Sequence, residues 1–201
     1  MAKDNKGFFK VKNSWSDIKD QLLGCYLAPY FQKVLMTNQP IFYVDCFAGK
    51  GKFEDGKPGS PLIALQARDD CLLCTSLKTG HGQIDACFID LNYANDLKCN
   101  IADFCNSVNR TQVVSGKYEE IIEGLLSSKS GTNVFLYIDP YGISESTRQG
   151  FSSLNYAACH DCVLLPETSC EFRNVLLDRI SVVGLPENRR MGFMGELAQS
   201  L

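Results

Sequence analysis

Residues 41–51 read Ile41-Phe42-Tyr43-Val44-Asp45-Cys46-Phe47-Ala48-Gly49-Lys50-Gly51, and the fold follows from this stretch. A nearly unbroken apolar run, Ile41 to Cys46, that opens into glycine-containing sequence is the pattern of a strand buried on both faces by helices. Four more runs have the same character: Ala86 to Asp90, Thr111 to Ser115, Val134 to Asp139 and Asp161 to Leu165. Helical spacing fills the intervals. Ser60 caps a helix running to Arg68 with Pro61 at its first position, and further helices are expected over 92–109, 117–127 and 145–158. Strand and helix alternating in this way require right-handed crossovers, hence a mostly parallel, doubly wound α/β sheet with helices on both faces. Ligands in such sheets sit at the carboxyl ends of the strands.

Upstream, Ser14 is placed to cap a helix in which Trp15, Ile18, Leu22, Tyr26 and Leu27 recur at helical spacing. Pro29 has no amide proton and is expected to end or kink it, leaving Tyr30, Phe31, Val34 and Leu35 to a second short helix. Residues 1–38 thus form an N-terminal helical segment packing on a core made by 39–201. Beyond the fifth strand the pattern weakens. Residues 172–179 and 191–201 look helical and 180–183 strand-like, so the sheet is expected to lack its last strands.

The 201 residues suit one compact domain, and the 45% hydrophobic and 21% charged fractions exclude a disordered or low-complexity chain. No apolar run approaches the length of a membrane span, and the first ten residues lack the apolar segment of a secretory signal, so a cytoplasmic protein with no membrane partner is expected. The ten cysteines then read mostly as reduced thiols. A net charge of −3 excludes a strongly basic nucleic-acid coat protein. Residues 1–60, however, carry nine lysines against six acids, with Lys50, Lys52 and Lys57 close together. These lysines either guide a polyanion or are ordinary solvated surface.

Three strand ends carry chemistry. Asp45-Cys46-Phe47-Ala48-Gly49-Lys50-Gly51 lets the backbone turn tightly and lets a ligand lie against the main chain; it also reads as an ordinary glycine-rich turn. Asp90 ends the second strand, where a carboxylate can take both hydroxyls of a ribose, or can simply cap the next helix. It lies 45 residues after Asp45, against the roughly 20 of a compact dinucleotide unit. Asp139-Pro140-Tyr141-Gly142 supplies a carboxylate and a carbonyl that can each accept a proton of an amino group, and a ring that can stack on a heterocycle; it is equally a good turn sequence. Cys71-x-x-Cys74 and Cys159-His160-x-Cys162 have local zinc spacing but stand 88 residues apart, and no metal site is expected. Neither a G-x-S-x-G elbow nor a Walker A lysine is present.

The segments 42–52, Gly59-Ser60-Pro61-Leu62, Phe88-Ile89-Asp90 and Phe135 to Gly142 together resemble the three-Cys-motif partner family and, more distantly, class I S-adenosylmethionine-dependent methyltransferases. The resemblance spans about residues 15–170. It implies a Rossmann-like methyltransferase sheet with S-adenosylmethionine as cofactor. Asp45, Phe47, Gly49 and Gly51 would line the methionine end, Asp90 the ribose, and Asp139, Pro140 and Tyr141 the target nitrogen of a nucleobase or similar heterocycle. It also implies a protein partner bearing three cysteines, and it leaves open a non-catalytic partner module with the same fold. The third strand ends Ser115-Gly116-Lys117 without an acid, so a contact to the adenine amino group would come from elsewhere. A nicotinamide-dependent oxidoreductase is a third reading.

Overall fold

A computed structural model describes residues 9–76, 82–104, 110–129, 131–139 and 161–164. All belong to the first of the two units into which the chain divides, Met1–Glu167. The elements are α1 (Ser14–Leu35), β1 (Ile41–Asp45), α2 (Ser60–Ser76), β2 (Ile84–Asp90), α3 (Ala94–Asn100), a 3-10 turn (Ala102–Phe104), β3 (Thr111–Ser115), α4 (Tyr118–Ser127), β4 (Asn133–Ile138) and β5 (Asp161–Leu164). The strands form one sheet in the order β3-β2-β1-β4-β5, and every pairing is parallel. The protein therefore has the α/β parallel-sheet architecture that the apolar runs imply.

β1 is central and every residue in it is buried, because β2 and β4 flank it and helices cover both faces. Alternate residues go to opposite faces. Ile41 and Tyr43 join Phe88, Phe135 and Tyr137 beneath α1, α2 and α3, while Phe42 and Val44 join Ile89, Leu136 and Ile138 beneath Tyr118 and Ile122 of α4. By the same alternation Asp45 falls on the α1 side. Between β1 and β4 the connections diverge, one running toward β2 and β3 and the other toward β5. This is the switch point at which open α/β sheets bind ligands.

Several local expectations are corrected. Asn13, not Ser14, caps α1: its side chain accepts the Ser16 amide at 2.7 Å. Pro29 does not break α1, which runs through it to Leu35 as one helix. An interior proline costs about 3 kcal/mol. Tyr30, Phe31 and Leu35 beyond it are all buried, and at about 2 kcal/mol each their burial outweighs that cost. α2 outlasts Arg68 because Cys71 and Leu72 continue its apolar face. Arg68 itself is buried and ties α2 to the β3 edge, its guanidinium donating to Thr111 Oγ1 and to the Phe104 carbonyl. The helix expected over 92–109 is the shorter α3 followed by a 3-10 turn, with 105–109 outside the described residues. The elements expected over 145–158, 172–183 and 191–201 also lie outside them.

Candidate functional site

The chain leaving β1 folds back over its own sheet. Cys46 N donates to the Tyr137 carbonyl at 2.9 Å and Ala48 N to the Ile89 carbonyl at 3.0 Å, so the glycine loop sits across the ends of β4 and β2. Gly49 and Gly51 both have φ in the left-handed region, +61° and +76°. Their roles differ. A Cβ at Gly51 would come 2.7 Å from Leu97 Cδ1, so this glycine lets α3 pack closely. A Cβ at Gly49 would meet the Phe9 ring at 3.2 Å. The exposed side of that glycine is therefore covered by the protein's own N-terminal stretch.

Phe9 is held there. Its carbonyl accepts the Glu54 amide at 2.8 Å, and its ring meets Tyr93 edge-on with centroids 4.9 Å apart. The Lys50 ammonium lies 5.2 Å from the Phe9 centroid and 5.3 Å from that of Tyr93, within cation–π range. Of the three lysines singled out in the sequence, Lys50 is thus part of a packed cluster, whereas Lys52 and Lys57 are exposed. A depression of about 370 Å³ opens beside this cluster, between the loop and α3; Lys50, Lys52 and Asp96 line it, and Asp45 and Asp139 do not.

Asp90 fastens the loop to β2. Its Oδ2 accepts the Gly49 amide at 2.9 Å, and its Oδ1 accepts the amides of Asn92 and Tyr93 at 2.8 and 2.7 Å. The carboxylate serves the local turn and also sets the glycine loop against the end of β2.

Asp45 is fully buried at the end of β1. Ser60 Oγ donates to its Oδ2 at 2.7 Å, and the Phe47 amide to its Oδ1 at 3.1 Å. Ser60, expected only as a helix cap, thus joins α2 to the β1 carboxylate. Burial pushes the Asp45 carboxyl up to about 7, against the pull of these two hydrogen bonds and with the negative charges of Asp139 and Asp20 adding to the rise. The same desolvation raises Asp20, which Lys12 counters.

Asp139 follows β4 and faces the same space from the other strand. Its two oxygens accept from the Lys19 ammonium of α1 at 2.8 and 2.6 Å. Lys12 forms the matching contact with Asp20 at 2.7 Å and also donates to the Pro58 carbonyl at 2.9 Å. Lys12, Lys19, Asp20, Ser60, Phe9 and Tyr93 are not singled out as site residues by the sequence. A lysine 120 positions from its partner carries no local signal, although Ser60 stands within the Gly-Ser-Pro-Leu motif. The structure thus gathers Asp45 and Asp139 with Lys19 and Asp20, and links Gly49 to Asp90. Gly51 is turned to α3, and Pro140 and Tyr141 lie outside the described residues.

Among the described residues, Cys25, Cys46, Cys71, Cys74, Cys87 and Cys99 are thiols outside any disulfide. Among the described residues no His, Cys, Asp or Glu cluster has a metal-binding arrangement, and no helix is long and apolar enough to cross a membrane.

These features define an α/β protein whose carboxylates converge at the switch point of a parallel sheet. Comparison with protein families, curated proteins and solved structures finds no match to this chain.

Proposed function

We propose that this protein binds S-adenosylmethionine at the carboxyl ends of β1, β2 and β4 and directs its methyl group to an amine nitrogen of a nucleobase or similar heterocycle. The supporting observation is the convergence of a glycine turn and three strand-end acids on one end of a sheet of order β3-β2-β1-β4-β5, with the Gly49 amide fixed to Asp90. The residues present fit a positively charged nucleoside. Asp45 offers a buried carboxylate with only neutral donors, and the Tyr43 hydroxyl beneath it is buried with no hydrogen-bond partner. When bound, the cofactor would supply an electrophilic methyl on a cationic sulfur, for uptake by an amine nitrogen that would give up a proton to solvent while the C–S electron pair remained on a neutral thioether.

The chain's own task is alignment. Asp139 accepts an N–H of the incoming amine and turns the nitrogen lone pair toward the methyl carbon, which requires Lys19 to yield one of the two oxygens it holds. Pro140 and Tyr141 would complete the acceptor site, the carbonyl as a second N–H acceptor and the ring as a stacking face. Phe9 must swing from Gly49 or stand as a wall of the pocket.

A second reading is a binding module that keeps the architecture without turnover, serving a protein partner. Phe9 over Gly49 and Lys19 across Asp139 favour it, since both acceptor and cofactor positions are met by the chain itself. Calorimetric titration with S-adenosylmethionine, on the wild type and on Asp45→Ala, separates the two when combined with transfer of labelled methyl to total nucleic acid. Binding lost in the variant, with label transfer by the wild type, is the expected result. Wild-type protein that binds without transferring label supports the module, and absence of binding refutes the cofactor.

A further inference from the structure

We infer that the buried end of the sheet between β1 and β4 is a receptor for a positive charge, and that Asp45 makes it favour a sulfonium ligand over the neutral thioether that methyl transfer leaves behind. This rests on the cofactor reading above and adds a selectivity to it.

The acids at this end of the sheet are unequally neutralised. Three carboxylates, Asp20, Asp45 and Asp139, are close enough that the charges of Asp20 and Asp139 both act on Asp45. Lys12 meets Asp20 at 2.7 Å and Lys19 meets Asp139 at 2.6 Å. Asp45 has no such partner: among the described residues no lysine or arginine pairs with it, and its two hydrogen bonds come from the neutral Ser60 hydroxyl and Phe47 amide. A buried carboxylate is ordinarily paired. When ionised, this one is the uncompensated charge of the cluster, at the position where open α/β sheets take ligands.

A second observation is independent of the acids. Tyr43 lies two residues before Asp45 on the same face of β1, is 1% exposed, and its hydroxyl has no hydrogen-bond partner. Burial, and after it the charge of Asp45, hold that hydroxyl well above the usual phenol range. A buried polar group without a partner calls for an explanation, and a ligand or its bound water is one.

The groups facing Asp45 are Asp20 from α1, Tyr43 on β1, Ser60 from α2, and Tyr137 and Asp139 from the β4 side; Lys19 reaches Asp139 and Lys12 reaches Asp20, with Asp17 beyond it at 3.4 Å. Of these, Asp45 has its titration moved close to neutrality, because burial favours its protonated form. A cation arriving nearby favours the carboxylate and expels the proton. Binding of a cation therefore tightens as pH rises through about 7, whereas binding of an otherwise identical ligand without that charge does so less.

The test is calorimetric titration of the full chain with three ligands: S-adenosylmethionine, S-adenosylhomocysteine, and the analogue in which a carbon bearing an ammonium replaces the methylated sulfur. All share the nucleoside and the amino-acid end and differ in charge at one place. At pH 8 the two cationic ligands are expected to bind about tenfold tighter than the thioether. The gap should shrink below about threefold at pH 5.5, and at pH 8 in Asp45→Asn, which keeps the shape and removes the charge. Equal affinities at pH 8, or an undiminished gap in Asp45→Asn, overturn the inference and leave the cofactor reading standing. Failure of all three ligands to bind overturns both.

Discussion

Replacing Asp45 with asparagine should stabilise the protein, and should do so more as pH rises. In the folded chain the Asp45 carboxyl is pushed from its ordinary 3.8 to about 7. The sign follows from linkage. Between those two values the unfolded chain has released the proton and the folded chain still holds it, so folding loses about 1.4 kcal/mol for each pH unit climbed. Asp45 is thus neutral in its effect below about 4, and above about 7 it costs on the order of 4 kcal/mol. The asparagine of Asp45→Asn does not titrate and can keep both local contacts: its carbonyl accepts the Phe47 amide, and its NH2 donates to Ser60 Oγ, whose own proton can turn elsewhere. Urea unfolding of both proteins at pH 5, 6, 7 and 8 measures the difference, and acids common to both largely cancel. The advantage of Asp45→Asn should grow by about 2.5 kcal/mol from pH 5 to pH 8, most of it below pH 7. A difference that is constant over this range, or an Asp45→Asn that is less stable at pH 8, would show that Asp45 is not a desolvated acid.

Gly51→Ala must adopt φ near +76° with a methyl 2.7 Å from Leu97 Cδ1, and is expected to lower stability by about 2–4 kcal/mol in urea unfolding; a loss under about 1 kcal/mol refutes the packing role given to this glycine. Lys19→Met removes the ammonium that both Asp139 oxygens accept from, and because both side chains are mostly but not wholly buried the loss should be about 2 kcal/mol at pH 7, largely regained in Lys19→Met/Asp139→Asn. A double variant no more stable than the single one would contradict that account. Phe9→Ala uncovers Gly49 and should tighten S-adenosylmethionine binding about threefold by calorimetry, since the binding-competent form is no longer in competition with the ring; weaker binding would mark Phe9 as a pocket wall.

How much of this is legible in the sequence depends on range. The sheet is legible because burial on both faces writes itself into consecutive residues: Ile41 to Val44 and Val134 to Ile138 can be read without knowing what they touch. Pro29 misleads because local chemistry argues for a break, while the residues that overrule it, Tyr30 and Phe31, act through distant partners such as Phe135 and Tyr43. Ser14 competes with its neighbour Asn13 because both are good caps and only the backbone turn decides. At the site, Asp45, Asp90 and Asp139 are found as acids at strand ends. The lysine that pairs with Asp139 is not, since Lys19 lies 120 positions away from it, and nothing near Lys19 distinguishes it from a solvated helix lysine. Phe9 reads as part of an unremarkable N-terminal stretch; only the folded chain places its ring on Gly49.

The cluster at the switch point is built against stability. A neutral amide at position 45 would satisfy the same two hydrogen bonds without a desolvated charge, and a hydroxyl-free ring at position 43 would avoid an unpartnered buried group. By contrast, Arg68 of α2 reaches a hydroxyl, a carbonyl and a carboxylate, and Asp85 of β2 accepts the Arg110 amide. Sequences tend to break local rules at functional sites and to obey them in the rest of the fold. The departures at Tyr43 and Asp45 fall two residues apart on one face of the central strand, at the end where the glycine loop begins and beside the strand junction that receives ligands in this architecture. That coincidence ties the proposed chemistry to this end of the sheet. It also makes Asp45 the residue whose charge separates the two readings of the protein: a binding module without a cationic ligand has no use for an acid that weakens the fold above pH 7, whereas a site that must attract a sulfonium and release a thioether does.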